Sequence, residues 1–179
     1  MTIDELIKDC SRRQKKGLHF IMSSVVIWAL ILGIHLSGMN MELKNLLTFC
    51  CSAVLFPIAW TVAKVLHIDF EGKGNPLSKA GILFSVNQML YILIAMWVYA
   101  AVPQKMLMVY AMIFGAHLMP FSWLYNSKSY LVLSIVVPIG ALIIGLFYEP
   151  WVLAALMMVV EIVFSFLLYQ ECKKLNYNN

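Results

Sequence analysis

Near the middle of the chain stands the run Gly115-Ala116-His117-Leu118-Met119-Pro120-Phe121-Ser122-Trp123-Leu124-Tyr125, which is strongly apolar yet contains a histidine and a proline. Hydropathy places this run inside a membrane-spanning segment. In hydrocarbon a histidine needs a partner or water, and a proline leaves one backbone carbonyl without its helical donor. The run therefore predicts a membrane protein with a polar position inside the bilayer.

The composition of the whole chain agrees with this prediction. Of 179 residues, 62% are hydrophobic and 12% are charged, whereas a soluble domain is about half apolar and about a quarter charged. A spanning helix needs about 20 residues to cross about 30 Å of hydrocarbon, so six helices nearly exhaust the chain. We expect one all-α transmembrane domain over residues 1–179, with a short cytoplasmic, amphipathic and basic segment at residues 1–17.

Hydropathy and the positions of polar linkers predict six spans. They lie at Leu18–Ser37, Lys44–Leu66, Leu77–Ala101, Lys105–Tyr125, Tyr130–Tyr148 and Trp151–Gln170. Before the first span, the spacing of Ile3, Leu6, Ile7 and Cys10 favours a short helix on the membrane surface. A frayed and solvated terminus is the alternative.

The Lys and Arg residues predict the orientation. Eleven of the thirteen fall on one side: Lys8, Arg12, Arg13, Lys15, Lys16, Lys64, Lys73, Lys79, Lys128, Lys173 and Lys174. Only Lys44 and Lys105 fall on the other side. The positive-inside rule then predicts that both termini are cytoplasmic, which requires an even number of spans. The net charge of +4 belongs to this topology and to anionic lipid headgroups, so we expect no nucleic-acid partner.

Four polar side chains occur at similar depths on three predicted spans. They are Asn87 and Gln88 in the third span, His117 in the fourth and Glu161 in the sixth. Ionisable groups inside a membrane are expensive and often mark ion or substrate pathways. One interpretation is a site where His117 and Glu161 handle a proton or cation and the amides hydrogen-bond a solute. The other is a structural polar cluster that holds the helices together.

Prolines and small residues predict special features of three spans. Pro57, Pro120 and Pro138 are candidate helix breaks or hinges. In the second span, one small and polar face should pack inward or line a cavity; it is made of Ala53, Pro57, Thr61 and Lys64. In the fifth span, a stripe of small residues between Ser134 and Gly145 favours close helix packing, either within the monomer or in a homo-oligomer.

Three short matches between the two halves of the chain indicate an inverted repeat of three plus three helices. Gly33-Ile34-His35-Leu36 is similar to Gly115-Ala116-His117-Leu118, and Pro57-Ile58-Ala59 to Pro138-Ile139-Gly140. The third match joins residues 82–85 and 162–165. Many transporters are built this way, although apolar segments also share letters by chance.

The motifs of common enzymes are missing. The sequence contains no Walker loop, no H-E-x-x-H and no G-x-S-x-G, and its cysteines lack zinc spacing. We therefore expect no enzyme, cofactor or metal site. The leading hypothesis is a small transporter- or channel-like protein for a small solute or ion. The alternative is a non-transporting module for partner binding, sensing or envelope stress, whose buried polar residues are structural.

The central run, continued by Ser127-Lys128-Ser129-Tyr130, resembles the signature of a family of small bacterial membrane proteins of unknown function. Phe56-Pro57 and Asn75-Pro76-Leu77 fit the same signature, so the resemblance covers most of the chain. It implies a six-helix domain in the bacterial cytoplasmic membrane. It supplies no activity and no ligand.

Overall fold

The computed structural model describes residues 2–70, 72 and 74–177, and every regular element in this part of the chain is helical. Lys73, which entered the charge count, lies outside the described residues. The α-helices are α1 Ile3–Arg13, α2 Leu18–Leu36, α3 Met41–Ala53, α4 Leu55–Val65, α5 Ser78–Ala101, α6 Met106–Ala116, α7 Leu118–Leu124, α8 Lys128–Phe147 and α9 Pro150–Tyr177. Short 3-10 turns at Lys15–Gly17 and Pro103–Lys105 precede α2 and α6.

Six helical segments are long and apolar enough to cross a membrane, which confirms the predicted number of spans. They are Lys15–Leu36, Met41–Val65, Ser78–Ala101, Pro103–Leu124, Lys128–Phe147 and Pro150–Leu175. The predicted ends are close to these, and the largest difference is at the end of the sixth span. There, α9 continues past Gln170 and remains helical to Tyr177.

The second and fourth spans are each divided into two helices, and a proline explains each division. α3 ends at Ala53 and α6 ends at Ala116. These are the residues whose carbonyls would accept from the missing N–H groups of Pro57 and Pro120, four positions later. By contrast, α8 runs without a break through Pro138, so the expectation of a helix break at that proline is wrong.

The predicted inward face of the second span is also wrong. Ala53, Pro57, Thr61 and Lys64 are all exposed on the outside of the bundle. The Lys64 ammonium lies 3.3 Å from the centre of the Trp60 ring, and the buried residues of α4 are Ala59 and Ala63. Because the helix breaks after Ala53, α4 can rotate about its axis independently of α3. The helical spacing of small residues therefore did not determine which face of the second span is buried.

The core lies where α2 packs on α9 and α6 packs on α8. Its centre holds Trp28 and Ile31 from α2, Ala111 from α6 and Ala154 from α9, all nearly inaccessible to solvent. A second apolar cluster around Leu118, Leu124 and Phe164 lies nearer α1. The outward faces of α5 and α8 expose apolar side chains such as Leu83 and Ile139, as expected for helices that contact lipid.

The small-residue stripe on α8 packs inside the monomer. Ser134, Ala141 and Gly145 are buried, and α6 is the neighbour that covers this side of α8. A Cβ atom added to Gly145 would lie 2.4 Å from the Met108 Cγ atom. The sequence left open whether this stripe packs within the monomer or in a homo-oligomer. The contact with Met108 lies within the monomer.

The linkers and α1 define two ends of the bundle. At one end, called the α1 end below, α1 packs beside the loops after α4 and α7. There Asn75 Nδ2 donates to the Leu6 carbonyl at 2.8 Å, and Ser11 Oγ donates to the Tyr125 carbonyl at 3.0 Å. At the far end, Lys44 and Lys105 donate to carbonyls at the ends of α2 and α8. These are the two cations that the charge pattern placed apart from the rest.

Helix α1 is a docked helix. It begins with a capping box, in which Thr2 N donates to Glu5 Oε2 at 2.8 Å and Glu5 N donates to Thr2 Oγ1 at 3.3 Å. Ile7 and Cys10 are buried against the bundle, whereas Ile3 is exposed. The chain after α1 is tied to the next loop, because Lys15 Nζ donates to the Leu66 carbonyl at 2.7 Å.

Candidate solute-binding cavity

A cavity of about 460 Å3 lies between the first half of α2, the start of α4, α5 and the junction of α6 with α7. Pockets for small ligands span about 300–1,000 Å3, so its size suits an organic solute. Most of the lining is apolar or aromatic. The polar side chains in the lining are Gln14, His19, Ser24, Ser78, Ser85, Gln88, His117, Tyr125 and Tyr130, and no described Asp, Glu, Lys or Arg joins them.

Both helix breaks border this cavity. Leu55 and Phe56, which directly follow the break before α4, contribute to the lining. Phe114, His117 and Leu118, at the break between α6 and α7, form another part of it. Broken helices at membrane depth are tolerated where they line a cavity, so the position of the cavity explains why the two breaks are tolerated there.

His117 is the residue at which the fourth span breaks. Its Nδ1–H donates to the carbonyl oxygen of Phe114, which leaves Nε2 as the acceptor nitrogen of the neutral ring. The ring packs edge-on against Phe114 and Phe121, with centroids 5.3 and 5.9 Å away. The histidine that the sequence singled out therefore lies in the cavity wall, held in one tautomer by its own helix.

His19 also lines the cavity, and the sequence reasoning did not consider it. Its side chain is 2% exposed, and neither ring nitrogen has a hydrogen-bond partner among the described residues. A buried polar atom without a partner costs about 1–3 kcal/mol. Its neighbours are the rings of Phe20 and Phe70. The signal was present, because His19 falls inside the first predicted span and an intramembrane histidine is a functional candidate by default.

Glu161 lies directly behind the cavity wall. It is fully buried at 0% exposure and hydrogen-bonds through Oε2 to the Ser24 hydroxyl, while Oε1 has no hydrogen-bond partner within the described part of the chain. Ser24 lines the cavity and Glu161 does not. The acid thus reaches the cavity only through one hydroxyl group.

A count of hydrogens favours a neutral Glu161 in this arrangement. The Ser24 hydroxyl has one hydrogen but two acceptors within reach, the Ile21 carbonyl at 2.7 Å and the Glu161 carboxyl group. Both contacts become hydrogen bonds when Ser24 donates to Ile21 and a protonated Glu161 donates to Ser24. A neutral acid also avoids an unpaired charge at membrane depth.

The two adjacent amides on α5 lie on different sides of the helix. Gln88 lines the cavity, whereas Asn87 is exposed on another side of α5. Asn87 Nδ2 donates to the Tyr91 hydroxyl one turn later, at 2.9 Å, so Asn87 does not join the polar group in which the sequence placed it with His117 and Glu161. Consecutive residues on a helix point about 100° apart, and the cavity takes only one of them.

The α1 end closes the cavity with hydrogen-bonded side chains. The Tyr125 hydroxyl donates to Gln14 Oε1 at 2.8 Å, and Gln14 Nε2 lies 3.5 Å from the Ser78 hydroxyl. Nearby, burial raises the pKa of the Cys10 thiol to about 11. Hydrogen bonds from Arg13 and Asn75 hold the pKa of Asp9 below its usual value. Gln14, Tyr125 and Ser78 therefore form a hydrogen-bonded lid at this end of the cavity.

The sequence profile of a family described as a family of unknown function (DUF7010) matches residues 3–171. This confirms the resemblance to a family of membrane proteins of unknown function. No curated protein and no solved structure gives a significant match to the chain.

Proposed function

We propose that this chain, which belongs to the DUF7010 family of unknown function, is a small-solute transporter of the membrane. The observation that carries the proposal is the cavity, because it joins His19, His117 and Gln88 and lies one hydroxyl away from Glu161. Secondary transporters bind their substrates between discontinuous helices near the middle of the membrane. The two helix breaks beside this cavity support the comparison. We assign the protein a binding and transport role and no catalytic one.

Glu161 is the proton-carrying group in this proposal. The neutral acid in the present arrangement would lose its proton when a solute reaches Ser24, and regain it when the solute leaves. Ser24 transmits the change because it contacts both the acid and the cavity. The junctions at Val54 and His117 supply hinges, since Val54 N donates to the Cys51 carbonyl three positions earlier and Pro120 leaves the carbonyl of Ala116, the residue before His117, without its helical donor.

We propose further that the chain forms a single domain in the bacterial cytoplasmic membrane with both termini in the cytoplasm. The charge pattern supports this orientation, because the α1 end carries most of the Lys and Arg residues. The inverted repeat stays a prediction. The breaks interrupt the second and fourth spans, which do not correspond to each other in a three-plus-three repeat.

The test is proton-coupled uptake in proteoliposomes that contain a pH-sensitive dye. A panel of small organic solutes is added outside, and the change in internal pH is recorded for the wild type, Glu161→Gln and Glu149→Gln. Glu161→Gln keeps the shape and can still donate to Ser24, but it cannot titrate. Glu149→Gln changes an exposed acid in the turn before α9 and serves as the matched control.

We expect at least one solute to produce a pH change in the wild type and in Glu149→Gln. Glu161→Gln should lose it while its melting temperature in detergent stays close to that of the wild type. If no solute moves protons and Glu161→Gln merely lowers the melting temperature, the buried acid is structural and the non-transporting alternative holds.

A further inference from the structure

We propose that the solute taken by this cavity is a lipophilic amine in its ammonium form, which reaches the site from the bilayer between α4 and α5. This proposal rests on the proposed function and names the class of ligand that binds at the same site. Three independent features carry it: the charge of the lining, its aromatic walls and the position of its opening.

The lining suits a cation and opposes an anion. It contains no described Lys or Arg, so a bound carboxylate or phosphate would be buried without a counter-charge, which is strongly unfavourable. Acceptors are available, among them the one unprotonated ring nitrogen of neutral His19 and the hydroxyl oxygen of Ser24. An ammonium N–H would supply His19 with the donor that it lacks.

Glu161 provides the compensating charge. When the ammonium group approaches Ser24, the neutral acid releases its proton to water, and the hydroxyl then donates to the carboxylate and accepts from the ammonium. One proton leaves as one cation binds, so the net charge of the site does not change. Tyr130 on α8 is a titratable group that interacts electrostatically with Glu161, and its hydroxyl donates to the Lys16 carbonyl at 3.0 Å.

Aromatic rings surround the polar positions. Phe20, Phe56, Phe114 and Phe121 all contribute to the lining. A cation over an aromatic face gains about 0.5–2 kcal/mol, more when water is excluded. The aromatic rings and the uncharged side chains beside them also suit an apolar ligand body. The walls therefore favour a cation that carries a hydrophobic group.

The cavity opens to the bilayer between α4 and α5, which do not pack closely against each other. α5 packs on α6 and α7, and the described residues show no comparable packing of α5 on α2 or α4. At this gap, Phe56, Ile82 and Val86 line the cavity and keep half or more of their surface uncovered. The gap is at the depth of spanning helices, so an apolar ligand can enter it from lipid without crossing the lid at the α1 end.

Three ligands with the same body test the proposal: 4-phenylbutylamine, 4-phenylbutanol and 4-phenylbutyrate. Their dissociation constants are measured by calorimetry on the purified, detergent-solubilised protein at pH 7.5, and proton release is recorded in weak buffer. We expect the amine to bind at least about tenfold more tightly than the alcohol, with proton release, and the acid not to bind. Glu161→Gln should abolish the proton release, whereas Glu149→Gln should not.

The outcomes separate this proposal from the proposed function. If the alcohol or the acid binds as tightly as the amine, or if none of the three binds, the amine proposal is overturned, while transport of another solute can still be detected in proteoliposomes. If the amine binds with proton release but never crosses the membrane, the ligand class stands and the transport function fails. The comparison of ligands on the wild type does not depend on any variant folding.

Discussion

At the scale of single residues, the closest helix contacts depend on glycine. Gly115 lies at the end of α6, and a Cβ atom added there would lie 2.6 Å from Pro138 Cδ and 2.9 Å from the Pro138 backbone nitrogen. Real Cβ atoms do not approach other atoms this closely, and a proline ring cannot move aside as a flexible side chain can. Gly115 therefore sets the distance between α6 and α8, and it lies between Phe114 and His117, which both line the cavity.

Gly115→Ala should lower the stability of the folded protein. The extra methyl group overpacks the α6–α8 contact, for which the expected loss is about 1–3 kcal/mol. Gly140→Ala is the matched control, because a Cβ atom at Gly140 meets nothing within 4 Å and alanine favours the helix. Melting temperatures in detergent should fall for Gly115→Ala and stay level or rise for Gly140→Ala. Equal effects of the two substitutions would contradict this account of α6–α8 packing.

At the scale of elements, a polar cluster at the turn after α1 adds to the hydrogen bonds that Ser11 and Asn75 make between α1 and the bundle. Lys16 Nζ donates to Glu171 Oε2 at 2.7 Å, and the hydroxyls of Ser127 and Ser129 donate to the same carboxylate at 2.7 and 2.6 Å. Lys16 is only 5% exposed, so its charge depends on this partner. The cluster joins the turn after α1, the start of α8 and the end of α9.

Glu171→Gln should release α1. The Glu171 side chain is 23% exposed, so removing its charge should cost less than the about 3 kcal/mol of a fully buried pair, and Lys16, left with the Asn126 carbonyl, favours a state in which it reaches water. Cys10 reports the change, because its thiol is 1% exposed and its pKa of about 11 makes it unreactive while α1 is docked. In a background where Cys50, Cys51 and Cys172 are alanine, maleimide should modify Cys10 faster in the Glu171→Gln variant.

Lys173→Gln is the control for this measurement, since Lys173 is exposed on the same helix. It should leave the rate of Cys10 modification unchanged. A rate in Glu171→Gln equal to that of the control would show that the cluster does not hold α1.

At the scale of the whole molecule, the two ends of the bundle differ in charge. The α1 end carries the basic residues around α1 and the end of α9, whereas the far end has Lys44 and Lys105, both donating to helix carbonyls. Basic segments are retained on the cytoplasmic side during insertion and are attracted there by anionic lipids. The charge asymmetry is therefore the physical basis for the orientation that we propose, in which the α1 end faces the cytoplasm.

Single cysteines test this orientation in intact bacterial cells. In a cysteine-free background, Glu149→Cys places a thiol in the far-end turn and Lys173→Cys places one at the α1 end; both positions are exposed. A membrane-impermeant maleimide should label Glu149→Cys directly and Lys173→Cys only after lysis. The reverse pattern of labelling would place the termini outside.

Local properties of the chain were enough to predict the six spans, to name three prolines at which a helix could break, two of which do coincide with breaks, and to locate the costly polar groups His117 and Glu161. Span length and hydropathy depend on neighbouring residues, and a proline removes a hydrogen bond from its own helix wherever that helix packs. These features can be read without knowing any contact between helices.

Only the tertiary structure decided which polar groups share a cavity. It brought His19 and Ser24 to the site, placed Glu161 behind Ser24, and turned Asn87 away. It also left the small face around Pro57 exposed and kept α8 intact at Pro138. The physical reason is that the rotation of each helix about its axis is set by packing against its neighbours, and apolar spans carry little amphipathic pattern to specify that rotation.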